Sequence, residues 1–305
     1  MMMYVSLILG FVLLIKGADY FVEASSSIAR KLRIPSIIIG LTIVAFGTSA
    51  PELAVSTTAA LSGNNDIAIG NVIGSNIFNL LVVLGACGVI HPFRVRLRWD
   101  YAASIGAGVL LLVIMITNLN ISRLEGVILF AFFIFFVGFT IRDAIVNRAP
   151  KEIETVSMPS WLSAVYIILG LSAIIWGGNL VVNNASAIAA SFGLSQSLIG
   201  LTIVAFGTSL PELVTSIVAS RKGENGLALG NVIGSNLFNI LMVLGISASI
   251  SPIKVNPLSI YDAAFLILIS LVTFLFCKTK KKLNRLESIF MIVVYMIYMF
   301  YIVIR

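Results

Sequence analysis

The chain contains one 40-residue stretch twice. Residues 40–79, GLTIVAFGTSAPELAVSTTAALSGNNDIAIGNVIGSNIFN, and residues 200–239, GLTIVAFGTSLPELVTSIVASRKGENGLALGNVIGSNLFN, agree at 27 of 40 positions, at a constant offset of 160 and without a gap. Each copy sets a glutamate beside a proline in apolar surroundings, Pro51-Glu52 and Pro211-Glu212. With 59% apolar and only 11% charged residues, the chain is built for a bilayer rather than for water. Apolar runs of spanning length fall near 4–29, 34–61, 67–90, 101–119 and 125–145, and again near 160–190, 196–219, 227–250, 261–277 and 287–304. Each must be helical, because hydrocarbon leaves no partner for an open backbone. The expectation is an all-α membrane protein of ten transmembrane helices.

Charge sets the orientation. With the N-terminus outside, the odd-numbered connections hold 16 of the 20 Lys and Arg residues, among them Arg30, Lys31, Arg94, Arg142, Lys222 and Lys280. The outside connections and C-terminus keep only Arg123, Lys254 and Arg305, and Lys16 lies within the first span. This positive-inside bias predicts an N-out, C-out topology and accounts for the net charge of +7 without a nucleic-acid partner. Five spans per copy bring the second copy into the membrane from the opposite side, so the repeats are expected to be inverted. The divisions are 1–145 for the first five-helix repeat (motif 40–85), 146–159 for a cytoplasmic linker and 160–305 for the second repeat (motif 200–245).

A carboxylate within a membrane is costly and marks a functional site. Pro51 lacks an N–H and crowds the carbonyl four residues back, so the second span should break near 47–51 and free carbonyls around Ala45–Thr48. Thr48 and Glu52, four apart, would share a face. Ala205, Thr208, Ser209, Pro211 and Glu212 repeat the arrangement. In the third span Asn71, Ser75 and Asn79 are spaced by four and line one face, as do Asn231, Ser235 and Asn239 in the eighth. The pairs Gly70/Gly74 and Gly230/Gly234 permit close helix approach. Two carboxylates with hydroxyl, amide and carbonyl oxygens make a shell for hard cations, of which Ca²⁺ accepts ~6–8 oxygens. Zinc or copper would need His or Cys, and the motif has neither.

Other polar residues have simpler readings. Lys16, Asp19 and Glu23 lie on one face of the first span and can pair internally, as a structural or gating cluster, with an accessory cation role as the second reading. Asp100 and Asp262 read as helix N-caps, His91 as a loop residue, and Cys87 and Cys277 as small buried hydrophobes. No cleavable signal is evident.

The doubled motif G-T-S-x-P-E followed by G-N-x-I-G-S-N-x-x-N resembles the alpha-repeats of the calcium/cation antiporter superfamily, in its sodium/calcium exchanger branch. The resemblance covers nearly the whole chain. It implies a ten-helix exchanger fold in which spans 2, 3, 7 and 8 form the ion core and spans 1 and 6 slide across it. It also implies ligands at Ala45, Thr48, Ser49, Glu52, Ser75 and Asn79, and at Ala205, Thr208, Ser209, Glu212 and Ser235. Asn239 stands where well-known sodium/calcium exchangers carry Asp, leaving two acidic ligands rather than three.

The function expected is therefore secondary antiport of Ca²⁺ against Na⁺ by a multi-pass cell-membrane protein. It is not an enzyme, and it needs no cofactor and no obligatory protein partner beyond the lipid bilayer. H⁺ or K⁺ as the driving ion and a passive cation channel remain alternatives. A Ser–Lys hydrolase using Lys16 is disfavoured, because Lys16 has no counterpart in the second copy.

Overall fold

The computed structural model describes residues 2–94, 99–146, 158–193, 205–279 and 282–304. It is nearly all helix: α1 Met2–Leu32, α2 Ser36–Thr48, α3 Ala50–Leu61, α4 Asn65–Ile90, α5 Trp99–Asn118 and α6 Arg123–Val146. After these come α7 Ser160–Ser191, α8 Ala205–Gly207, α9 Leu210–Arg221, α10 Asn225–Ile250, α11 Pro257–Thr279 and α12 Arg285–Ile304. Eight of these helices are long and apolar enough to cross a bilayer, and α2 with α3 makes a ninth span bent by 47°. The chain is a multi-pass membrane protein. The span expected near 196–219 begins outside the described residues and continues as α8 and α9. Most of the linker at 146–159 lies outside them as well.

The bend between α2 and α3 falls where the sequence places it. Ser49 leaves the helical region (φ −83°, ψ 6°), and Pro51 sits in the first turn of α3, where its missing N–H costs nothing. The equivalent Ser209, at φ −92° and ψ 5°, precedes Pro211 in α9. Wider π-turns interrupt α2 at Gly40–Val44, α4 at Asn79–Val83 and α10 at Phe238–Val243. Insertions of this kind cluster at functional sites.

The most apolar 18 residues of α10 are wholly enclosed by protein and those of α4 largely so, whereas α6, α7 and α12 turn most of their surface outward. Glycines set the closest approaches. A Cβ at Gly17 would lie 2.8 Å from the Gly170 carbonyl, and one at Gly177 would lie 2.7 Å from that of Gly10. Low numbers in α1 meet high numbers in α7, so these equivalent helices run antiparallel. Gly230 and Gly234 seat α10 against α2 as the sequence predicts. No described atom lies within 4 Å of a Cβ at Gly70 or Gly74, whose counterpart partner, residues 197–204, falls outside the described residues. Two short antiparallel ribbons tie helix ends together, pairing Phe93–Arg94 with Lys282–Leu283 and Asn120–Ile121 with Ile253–Lys254.

Candidate cation site

Glu52 and Glu212 occupy the first turns of α3 and α9 and are completely buried. The unpaired N–H groups and dipole of a helix N-terminus favour a carboxylate there. Neither cap serine bonds its own helix start, which leaves each hydroxyl free to cross to the other repeat. Ser49 donates to Glu212 Oε1 at 3.1 Å, and Ser209 donates to Glu52 Oε1 at 3.2 Å. The third and eighth spans complete each clamp: Ser75 reaches Glu52 Oε1 and Ser235 reaches Glu212 Oε1, both at 3.4 Å. Ser209 also lies 3.0 Å from Ser75.

A second tier fixes the helix starts. Asn71 Nδ2 donates to the Glu52 carbonyl (3.2 Å) and to Ser56 Oγ (2.9 Å). Asn231 Nδ2 does the same for the Glu212 carbonyl (3.4 Å) and Ser216 (2.9 Å). The oxygens of these amides accept across the repeats, from Thr48 at 3.1 Å and from Thr208 at 3.3 Å.

Apart from the Ser209–Ser75 contact, every bond in this network has its counterpart 160 residues on. The oxygens of this site that find no protein partner among the described residues are equally symmetric: Glu52 Oε2, Glu212 Oε2, Asn79 Oδ1 and Asn239 Oδ1, all buried. Among the described residues no basic side chain pairs with either glutamate, and no cluster of three His, Cys, Asp or Glu occurs. Buried, unpaired carboxylates are expensive. Anionic and amide oxygens without hydrogen-bond partners are suited to a hard cation, and the donor set contains no nitrogen or sulfur ligand.

Several expectations need correction. The Ala45 carbonyl is not freed by the break, because it accepts the Ser49 N–H at 3.0 Å. Thr48 does not act with Glu52 on one face. The helix breaks between them, and the Thr48 hydroxyl goes to Asn231 and to the Val44 carbonyl, at 3.1 Å each. Ala205 lies in α8, ahead of the equivalent break at Ser209. Lys16, Asp19 and Glu23 do not pair among themselves: Lys222, in the connection after α9, lies 3.4 Å from Asp19 and 3.7 Å from Glu23, while Lys16 is exposed. Asp262 is not a cap, since it stands in the second turn of α11 and accepts from Tyr298 at 3.2 Å. Asp100 binds the next backbone N–H, and His91 ends α4 in extended backbone. Both cysteines are free and buried.

Asn76 and Asn236 were passed over in the sequence. They fall one position beyond Ser75 and Ser235, about 100° off the face that the four-residue spacing picks out. Buried amides occurring at the same place in both copies were the available signal.

A buried oxygen cluster with two carboxylates, shared between two halves of a helical membrane protein, defines a membrane protein that handles cations. The chain belongs to the sodium/calcium exchanger protein family, whose pattern matches residues 2–142 and 162–304. It is 37% identical to the putative antiporter CaxA of Alkalimonas amylolytica, over 96% of each chain. It is 32% identical to the sodium/calcium exchanger MaX1 of Methanosarcina acetivorans, over 97% of each. Among solved structures it superposes on the sodium-calcium exchanger NCX_Mj with a TM-score of 0.86, at 33% identity over 97% of each chain.

Proposed function

We propose that the chain is a secondary antiporter that exchanges Ca²⁺ for Na⁺ across the membrane by alternating access. Its ten spans would form two inverted five-helix repeats, 1–145 and 160–305, with both termini outside. The antiparallel meeting of α1 with α7 and the reciprocal serine–glutamate bonds support inversion. Glu52 and Glu212 would neutralise the cation. Ser49, Thr48, Ser75, Asn79 and the second lone pair of the Ala45 carbonyl, whose first accepts the Ser49 N–H, would complete the shell from one repeat, and Ser209, Thr208, Ser235, Asn239 and the Ala205 carbonyl from the other. Two negative charges balance one Ca²⁺ or two Na⁺, so the occupants exclude one another, and mutual exclusion at one site is what couples their fluxes. No chemical bond is made or broken, and no cofactor is called for.

The observation that carries the reading is the reciprocal clamp. Each carboxylate is held at one oxygen by a serine from the other repeat, while its second oxygen has no protein partner among the described residues. The test is ⁴⁵Ca²⁺ uptake into proteoliposomes loaded with Na⁺ and diluted into Na⁺-free buffer, beside a K⁺-loaded control. Uptake should require internal Na⁺ and should be abolished by Glu52→Gln and by Glu212→Gln. Near-normal flux in both variants would sink the site. Uptake driven by a pH gradient or by K⁺ alone would move the coupling to those ions.

A further inference from the structure

Four buried asparagines, two from each repeat, form a closed lattice beside the glutamates. Asn76 Nδ2 donates to the Asn236 backbone carbonyl at 3.2 Å, and Asn236 Nδ2 returns a bond to the Asn76 carbonyl at 3.4 Å. Asn79 Nδ2 donates to Asn236 Oδ1 at 3.2 Å, and Asn239 Nδ2 donates to Asn76 Oδ1 at 3.1 Å. All four side chains are closed to solvent.

The direction of every bond follows from the backbone. A peptide carbonyl can only accept, so the end of Asn76 that faces the Asn236 carbonyl must be its NH₂. The other end of Asn76 is then an oxygen, which can only accept, so Asn239 must meet it with its own NH₂. Asn239 Oδ1 is thereby turned the opposite way. The same steps, begun from the Asn76 carbonyl, run through Asn236 and turn Asn79 Oδ1. These two oxygens are the amide oxygens of the four that have no protein partner among the described residues. Reversal of either amide would present N–H groups in their place, and no cation accepts those.

We propose that Asn76 and Asn236 are positioning residues: they transmit the polarity of two backbone carbonyls to Asn79 and Asn239, so that both site amides face the cation oxygen-first. This rests on the cation site proposed above and adds residues that need not touch the ion. It also joins the two site amides crosswise, because each is oriented by an asparagine of the other repeat.

Asn236→Asp tests this, because aspartate has the shape of asparagine and reproduces its donor–acceptor pattern only while protonated. Protonated, its O–H donates to the Asn76 carbonyl and its C=O accepts from Asn79. Ionised, it opposes that carbonyl with an oxygen, the lattice parts, and Asn79 loses its fixed orientation. The readout is the half-saturating Ca²⁺ of purified full-length protein, taken from ⁴⁵Ca²⁺ binding across a pH series. Each value is divided by that of the wild type at the same pH, which cancels proton competition at Glu52 and Glu212.

The expected ratio is close to one at acidic pH and climbs by about tenfold or more at alkaline pH, a penalty of about 1.4 kcal/mol. Asn76→Asp should behave alike through Asn239, and Asn236→Leu should weaken binding at every pH with no trend. A flat ratio in both aspartate variants, or wild-type affinity in the leucine variant, overturns the proposal. Failure of both aspartate variants to fold at acidic pH, where every bond is preserved, overturns it too. If wild type itself binds no Ca²⁺, the antiporter reading fails and takes this proposal with it. A flat ratio with wild-type binding intact removes only the orientation.

Discussion

Gly230→Ala tests how rigidly the two repeats are held together at the site. The new Cβ would stand 2.3 Å from the Ile37 carbonyl oxygen and 2.9 Å from the Leu41 nitrogen. Ordinary contact begins near 3.4 Å, so α10 and α2 must part by about 1.1 Å. Both offending atoms are backbone, so no rotamer change relieves the clash. Overpacking of this kind costs about 1–3 kcal/mol, and the upper end applies here. The next residue, Asn231, accepts from Thr48 at 3.1 Å, and the added separation takes that bond beyond reach. Its loss adds about 1 kcal/mol. A penalty of about 4 kcal/mol, at about 2 °C per kcal/mol for a chain of this size, lowers the midpoint by about 8 °C. The assay is thermal unfolding of the purified protein followed by intrinsic fluorescence, with Na⁺-driven Ca²⁺ uptake measured alongside. Gly138→Ala, on an exposed face of α6 where a Cβ meets nothing within 4 Å, is the control and should be neutral or slightly stabilising. An unchanged midpoint and unchanged uptake in Gly230→Ala would refute the claim that backbone contact sets this distance.

Ser49→Ala and Ser209→Ala should each raise the half-saturating Ca²⁺ by about tenfold or more, since a hydrogen bond to a charged group is worth about 1.5–3 kcal/mol; binding isotherms check this, and wild-type affinity in both would remove the crosswise clamp. Lys222→Ala should lower the unfolding midpoint by no more than about 2 °C at low salt, and the difference should vanish at high salt, because its pairs with Asp19 and Glu23 are partly exposed. A large, salt-independent drop would mean that those pairs bear on the fold itself.

Much of this molecule is legible in its sequence because a bilayer allows few choices. An apolar run of spanning length must be a helix, a proline inside it must break it, and a glutamate there must have a use. Glu52, Pro51 and their counterparts follow from those rules, and Ser75 and Ser235 from the four-residue spacing. The partner of each group is not legible. Ser49 lies at the break of its own repeat, yet its hydroxyl crosses to Glu212 of the other, because the two breaks face each other. Asp19 and Glu23 suggest a pair with Lys16 by spacing, yet they meet Lys222, which is near only after α1 has packed beside α9. Helical spacing identifies groups on one face of one element; it carries no information about contacts made between the two copies of the motif.

The crosswise serine–glutamate bonds also tie cation binding to the closeness of the two copies. Each clamp needs a residue from both halves, so a conformation that parts them loses the Ser49 and Ser209 bonds together and scatters the oxygens. A cation held by Glu52 and Glu212 therefore binds the closed arrangement better than the parted one, and by linkage it must favour closure by the same factor. Ca²⁺ at a hundred times its dissociation constant should stabilise the protein by about 2.7 kcal/mol. The unfolding midpoint should accordingly rise with Ca²⁺, and should stop doing so in Glu52→Gln, where one of the two balancing charges is gone. If Ca²⁺ stabilised that variant as much as the wild type, the ion would be acting somewhere other than between the two repeats.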